Sequence, residues 1–181
     1  MSNTAVKKKE AGPAQLVIVL FAISAVTALL LGLVNMLTAP AIAANTQKKT
    51  EDAMAAVLPA DSYDAVEYTG GDPLVTAIYK AGDAGYVVQV APSGFGGNLD
   101  VMVGVGADGA CTGVSIIKHA ETSGLGANAT KADFRDQFVG KTNVSVTKDG
   151  GEIAALTGAT ITSRAICDGV NAAIAAAASM G

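Results

Sequence analysis

The sequence predicts an α+β protein, in which a single N-terminal transmembrane helix precedes a compact domain of helices packed on an antiparallel sheet. Three observations predict this fold class. They are a long uncharged apolar run, several short β-like runs split by turn residues, and a closing stretch with helical periodicity. Strands followed by a few helices are typical of α+β domains. The 181 residues leave room for one ordinary domain and a further segment.

The N-terminal segment has no charged residue from position 11 to position 47. Its most apolar part, residues 16–38, is long enough to cross a hydrocarbon core of about 30 Å as a helix. The rival interpretation is a cleavable signal peptide, because residues 41–43 (AIA) resemble a cleavage site. The apolar run exceeds the roughly 7–15 residues of a signal-peptide core, which favours a retained anchor.

The lysine distribution predicts the orientation of this anchor. Lys7, Lys8 and Lys9 lie close to its first end, whereas Lys48 and Lys49 lie farther from its second end. The positive-inside rule then places the N-terminus in the cytoplasm. The predicted organisation is a cytoplasmic N-terminus at residues 1–15, a transmembrane helix at 16–38, a stalk helix or linker at 39–60, and an extracytoplasmic domain at 61–181.

The predicted elements after the span follow in order. In the stalk helix, Ala53, Met54, Val57 and Leu58 fall on one side. The elements that come next are β-like runs within residues 76–92 with a turn at 81–85, β-like runs within 99–119 with a turn at Asp108-Gly109, a charged loop with a short helix that ends near Phe138, one or two strands within 143–156, and a helix from about Ser163 to Ala178.

The charge and cysteine content argue against several partners. Without Lys7–Lys9 and Glu10, the 12 basic and 16 acidic residues leave an excess of six acidic groups, which disfavours nucleic acid as a ligand. Cys111 and Cys167 lie in apolar surroundings and are predicted to be buried free thiols, with a disulfide as the open alternative. Two cysteines are too few for a zinc or iron–sulfur site, and we predict no metal.

The stretch LTGATITSRA, residues 156–165, places several hydroxyl groups at a predicted helix start. In the simplest interpretation Thr160, Thr162 or Ser163 caps the helix, and Gly158 makes the turn. A helix N-terminus is also favourable for a phosphate, because its N–H groups lack partners within the helix. The hydroxyl of Thr160 would then hold or be esterified to that phosphate. The residues alone leave both interpretations open.

Three segments together resemble one known family. TGATITSRAI is similar to the flavinylation motif, Asp-x-x-Ser/Thr-Gly-Ala-Thr, of the FMN-binding domains in the Rnf G subunit and in the C subunit of the sodium-pumping NADH:quinone reductase. GFGGNLDVMVGV, residues 94–105, resembles the glycine-rich turn of that family, and HAETSGLGA, residues 119–127, its Glu-Thr-Pro-Gly-Leu-Gly loop. This chain departs from the family at Ala154, where the motif has aspartate, and at Ser123, where the loop has proline.

The resemblance implies a covalent cofactor and a set of site residues. FMN would be bonded through its phosphate to Thr160 by a dedicated flavin transferase that uses FAD as donor. No residue is expected to be catalytic. The resemblance assigns phosphate and ribityl contacts to Thr157, Gly158 and Ala159, and a wall near the flavin to Glu121, Thr122, Gly124, Leu125 and Gly126.

The function implied by the resemblance is an electron-carrier subunit of the Rnf complex, a membrane-bound ion-translocating ferredoxin:NAD oxidoreductase. Its partners would be the other membrane and redox subunits of that complex, together with the flavin transferase during maturation. One alternative is a component like the C subunit of the quinone reductase, or a stand-alone flavinylated carrier. An alternative of another class is a membrane-tethered, non-redox binding domain in which TGAT only caps a helix.

Overall fold

In this computed structural model, residues 12–180 are described. The lysines that predict the orientation, Lys7 to Lys9, lie outside the described residues. The chain divides into two compact units between Gln47 and Lys48.

The first unit contains most of a long helix, α1 (Pro13–Val57). Its large apolar side chains are exposed, and it is long and apolar enough to cross a membrane by length and composition. We expected a membrane helix and a separate stalk helix, but the structure has one continuous helix with Pro40 inside it. A proline removes one backbone donor from the helical ladder, and here the helix continues past that missing bond.

The second unit contains five antiparallel strands in sequential order: β1 (Asp64–Val66), β2 (Val75–Lys80), β3 (Gly85–Val90), β4 (Asp100–Gly106) and β5 (Cys111–Lys118). The α+β prediction is confirmed. Both predicted turns join neighbouring strands, β2 to β3 and β4 to β5. At the second turn Gly109 has φ of +80°, a conformation that side chains larger than hydrogen rarely adopt.

One face of the sheet is covered by helices from the C-terminal half of the chain. Helix α3 (Thr160–Ala178) lies against β3 and β4, and its Ile166, Val170 and Ala173 are buried. The short helical segments between β5 and α3 are three 3₁₀ turns, Gly126–Thr130, Asp136–Phe138 and Thr147–Asp149, and one α-helical turn, α2 (Ala132–Arg135).

The other face is covered by the end of α1. The one-sided pattern predicted for Ala53, Met54, Val57 and Leu58 is confirmed, because all four are buried in a cluster that includes Met102. The hydroxyl of Thr112 donates a 2.6 Å hydrogen bond to the carbonyl of Val57. Both faces of β4 are therefore covered, which explains why five of its seven residues are buried.

Two sequence predictions about the C-terminal region were wrong. Residues 143–156 form no further strand of the sheet; they contain only an isolated bridge from Val146 to Ile153 around the 3₁₀ turn. The turn-forming sequence KDGG leaves runs too short to pair as strands. Helix α3 begins at Thr160 and not near Ser163. The start was predicted from the apolar stripe, and the first turn precedes that stripe, since Ile161 is exposed.

Candidate functional site

Four chain segments line a cavity of about 400 Å³ at the start of α3. They are the turn between β3 and β4, the loop that follows β5, the 3₁₀ turn that contains Lys148, and the turn into α3 together with the first turn of that helix. Seven of the nine residues predicted for the site line this cavity: Glu121, Thr122, Leu125, Gly126, Gly158, Ala159 and Thr160. Thr157 and Gly124 line a neighbouring hollow, in which Leu125 also takes part.

Four lining residues were missed by the sequence reasoning: Phe95, Lys148, Ile161 and Thr162. Three of them lie within the motifs that carry the family resemblance. The signal for Phe95 was an aromatic residue among glycines in GFGGN, which is unusual for a turn that only reverses the chain. Lys148 had no such signal, because only the folded chain brings it beside Thr160, 12 positions later.

The hydroxyl cluster does not cap α3. The N-cap residue is Ala159, and no side chain of the described residues caps the helix. The interpretation in which Thr160, Thr162 or Ser163 serves as a simple cap is therefore wrong for this structure. Gly158 makes the turn, as expected, with φ of +74°.

Each buried hydroxyl of the cluster has a different partner. Ser163 Oγ donates to the Ala159 carbonyl at 3.0 Å and accepts from the Leu156 N–H at 3.0 Å, which closes the turn before the helix. Thr162 Oγ1 donates to Glu121 Oε2 at 2.6 Å. Both side chains are fully buried. They hold the turn and the loop in place and leave Thr160 as the partly exposed hydroxyl at the cavity.

The environment of Thr160 favours an anion. The Lys148 ammonium donates to Thr160 Oγ1 at 3.3 Å. Within residues 12–180, the N–H groups of Thr160, Ile161 and Thr162 have no hydrogen-bond acceptor. Such open donors at a helix start carry a partial positive charge. A charged amine, three open donors and a hydroxyl are thus all found at the start of α3, beside the cavity.

An ion pair ties the Lys148 turn to helix α3. Arg164 Nε and Nη2 donate to the two carboxylate oxygens of Asp149, each at 2.6 Å. The side-chain hydrogen bond from Arg164 holds the pKa of Asp149 below its usual value, and the pKa of Arg164 is raised. Asp149 follows Lys148 directly, and Arg164 lies one helical turn after Thr160. The pair therefore keeps the ammonium group near the hydroxyl.

Glu121 is buried between the β3–β4 turn and the start of α3. Its Oε1 accepts the Gly96 N–H at 2.9 Å, and its Oε2 accepts the Thr162 hydroxyl. Its own N–H donates to His119 Nδ1 at 3.3 Å, so the histidine takes part in the loop structure. The carboxyl group thus joins the β3–β4 turn to the start of α3.

The cysteines lie away from the cavity. Cys111 and Cys167 are buried free thiols, which confirms that prediction. Burial raises the pKa of Cys111 to about 11. For Cys167, burial and then the nearby Asp168 carboxylate raise the pKa to about 12. Both thiols therefore stay protonated and unreactive in the folded chain near neutral pH.

Comparison with known proteins gives a consistent result. The FMN-binding domain family matches residues 94–175, a segment that begins at the β3–β4 turn and includes most of α3. The G subunit of a Na(+)-translocating ferredoxin:NAD(+) oxidoreductase complex from Acetobacterium woodii is 37% identical, over 87% of this chain and 87% of that protein.

Two further relatives carry similar names. The G subunit of an ion-translocating oxidoreductase complex from Methanosarcina acetivorans is 34% identical, over 88% of this chain and 92% of its own length. The G subunit of a proton-translocating ferredoxin:NAD(+) oxidoreductase complex from Clostridium ljungdahlii is 35% identical, over 82% of this chain and 83% of that protein. The similarity therefore extends well beyond the segment that lines the cavity.

Proposed function

This chain belongs to the family of G subunits of ion-translocating ferredoxin:NAD(+) oxidoreductase (Rnf) complexes, and we propose that it carries electrons through an FMN bonded covalently to Thr160. The observation that carries this proposal is the arrangement around the Thr160 hydroxyl. Three open N–H groups lie at this helix start, and the Lys148 ammonium contacts the Thr160 oxygen, which lines the cavity.

The residues of the cavity fit the two chemical parts of FMN. The phosphate would lie at the start of α3, where the N–H groups and Lys148 balance its negative charge. The apolar flavin ring would lie against exposed apolar side chains, of which Phe95 is 71% exposed, Ile161 53% and Leu125 43%. Exposed side chains of this size at a cavity are typical of a binding surface.

Each predicted site residue then has a defined role. Thr160 provides the ester oxygen, while Gly158 and Ala159 keep the backbone accessible because their side chains are small. Thr122 and Thr157 offer hydroxyl groups to the ribityl chain, and Gly124 with φ of +78° turns the loop that presents Leu125. Gly126 and Glu121 pack together at the wall of the cavity. When bound, FMN would supply the reversible electron transfer.

Attachment requires a separate enzyme. The Thr160 oxygen would displace AMP from the flavin-side phosphate of FAD, so that one phosphoester bond forms as one phosphoanhydride bond breaks. The hydroxyl proton would pass to a base of the flavin transferase. The helix start is held by the Asp149–Arg164 pair and by the buried hydroxyl of Ser163. Thr160 is partly exposed there, so the enzyme would have access to its hydroxyl.

The remaining subunits of the complex are the proposed electron partners. A flavin held at one membrane face cannot pass electrons across roughly 30 Å of lipid by itself. Helix α1 would keep the domain at the membrane, with the N-terminus in the cytoplasm and the domain on the other side. Protease added outside intact cells should therefore cleave the chain after residue 48. Cleavage only in inverted vesicles would contradict this orientation.

The covalent bond is tested by substitution of Thr160 in the full chain, produced together with a flavin transferase. Thr160→Ala should remove all flavin fluorescence from the band on a denaturing gel, and Thr160→Ser should retain it, because serine keeps a hydroxyl. Thr147→Ala, an exposed threonine beside Lys148, serves as the matched control. Mass spectrometry should locate one FMN on the peptide that contains Thr160. A fluorescent Thr160→Ala band would contradict the proposal.

A further inference from the structure

We propose that Glu121 is a positioning residue that fastens the turn carrying Phe95 to the start of α3, and so fixes the aromatic wall of the cavity. The assignment of that wall to a flavin rests on the function proposed above. The fastening itself follows from the contacts of the folded chain. It adds a structural role to the expectation that Glu121 is part of the wall near the flavin.

Both oxygens of the Glu121 carboxyl group are used within the protein. Oε1 accepts the N–H of Gly96, and Oε2 accepts the hydroxyl of Thr162, at 2.9 and 2.6 Å. Only 9% of Glu121 is exposed. A buried carboxyl group is stable only when its oxygens are satisfied, so these two hydrogen bonds hold each other in place. The Gly96 donor is on the turn, and the Thr162 donor is on the helix.

The glycines around Glu121 leave room for this contact. A Cβ on Gly94 would lie 2.3 Å from Oε1, and a Cβ on Gly126 would lie 2.2 Å from Oε2. A Cβ on Gly96 would lie 2.2 Å from the carbonyl oxygen of Ala120. Three glycines of the two motifs are therefore explained by close approach to Glu121 and its neighbour. Because these glycines have no side chains, the carboxyl group has room to make its two hydrogen bonds.

Phe95 lies between two of these glycines. On one side the Gly94 N–H donates to the Gly97 carbonyl at 2.9 Å, and on the other the Gly96 N–H donates to Glu121. Phe95 belongs to neither hydrophobic core cluster. A glycine-rich turn has many accessible conformations, so its side chain needs an external constraint to stay in one position. The hydrogen bond from Gly96 to Glu121 provides that constraint.

The fastening is tested first by chymotrypsin, which cleaves after exposed aromatic residues and whose action at Phe95 requires the turn to open. In the full chain, Glu121→Ala should accelerate cleavage after Phe95 by about tenfold, because the buried hydrogen bonds that hold the turn are lost. Thr162→Val should accelerate it less, since it removes one bond and keeps the side-chain volume. Glu152→Ala, which removes an exposed glutamate away from the cavity, should have no effect.

A second measurement follows the flavin ring in chains that carry it. Acrylamide is a neutral quencher, so its action does not depend on the charge removed with Glu121. Its quenching constant for flavin fluorescence should rise roughly twofold in Glu121→Ala and in Phe95→Ala, because each removes the aromatic cover. In the Phe95→Ala background, Glu121→Ala should cause no further rise, since the residue acts through Phe95.

Two outcomes would overturn the inference. One is a cleavage rate after Phe95 that stays at the wild-type value in both Glu121→Ala and Thr162→Val, with thermal unfolding confirming that at least one of them folds. The other is an equal rise of quenching when Glu121→Ala is placed in the Phe95→Ala background, which would mean that the carboxyl group acts on the flavin directly. A chain without flavin would contradict the proposed function alone, because cleavage still tests the fastening.

Discussion

Helices α1 and α3 are both rich in alanine and aliphatic residues, yet their side chains have different environments. In the first unit, α1 exposes large apolar residues on all sides, with Phe21 73% and Leu29 70% exposed. In α3, Ile166 and Val170 are fully buried, and Ile161 at the helix start is half exposed. A helix that is apolar all round suits lipid, whereas an apolar stripe suits a protein core.

The two helices also differ in function: α1 is suited to tethering, whereas α3 is suited to cofactor binding. The membrane part of α1 has no charged residue and offers no polar group suited to a redox site. Helix α3 keeps its stripe against the sheet and uses its first turn, where the stripe has not yet begun, for the cavity. The cavity thus lies at the N-terminal end of α3, before the buried apolar stripe begins.

The largest expected effect concerns the buried stripe of α3. Ile166→Ala should lower the free energy of unfolding by about 2–5 kcal/mol, because it removes methyl groups from a site with no exposed surface and leaves a cavity. Ile161→Ala on the same helix should change it by only about 0.5 kcal/mol or less. Urea unfolding of the chain in detergent measures both. Equal losses of unfolding free energy would mean that Ile161 and Ile166 contribute equally to packing, contrary to this prediction.

The next effect concerns α1. Leu29→Arg should oppose membrane insertion by about 2.5–3.5 kcal/mol, the cost of a charge near the centre of a span. Ile42→Arg lies outside the predicted span, residues 16–38, and should be tolerated better because it is nearer the interface. Carbonate extraction of cell membranes measures the retained fraction. If Ile42→Arg is released as readily as Leu29→Arg, the span extends further along α1 than predicted.

The smallest effect concerns Cys167, at the centre of α3. Burial and Asp168 raise its pKa to about 12 from an ordinary value of 9.0. Because the folded pKa is the higher one, this thiol's contribution to stability is complete below about pH 9 and is lost as the pH rises through about 12. Near neutral pH its ionisation has almost no effect.

Alkylation measures how the reactivity of the Cys167 thiol differs between the folded and the unfolded chain. At pH 9, iodoacetamide should modify Cys167 slowly in the folded chain and rapidly in urea, because only the thiolate reacts. An exposed thiol introduced near the end of the same helix by Ser179→Cys should react rapidly in both states. Rapid modification of Cys167 in the folded chain would show that this part of α3 is not closed.

Sequence reasoning was most successful where the local pattern is strong. The uncharged run, the two turns and the stripe in α3 were each visible in a short window, and the structure agrees with them. It was less successful in residues 143–156, where short apolar runs suggested strands. There the KDGG turn carries a lysine to the cavity instead, and nothing in its local sequence indicates that role.

By itself, the sequence determined the fold class, the apolar span, and the hydroxyl-rich motif that contains Thr160. These features depend on neighbouring residues, whose periodicity and turn chemistry act over a few positions. Only the tertiary structure brought Phe95, Lys148 and Glu121 to that motif, from turns far apart in the chain. Their contacts depend on how the strands pair and how α3 packs on the sheet, and this information is spread over the whole domain.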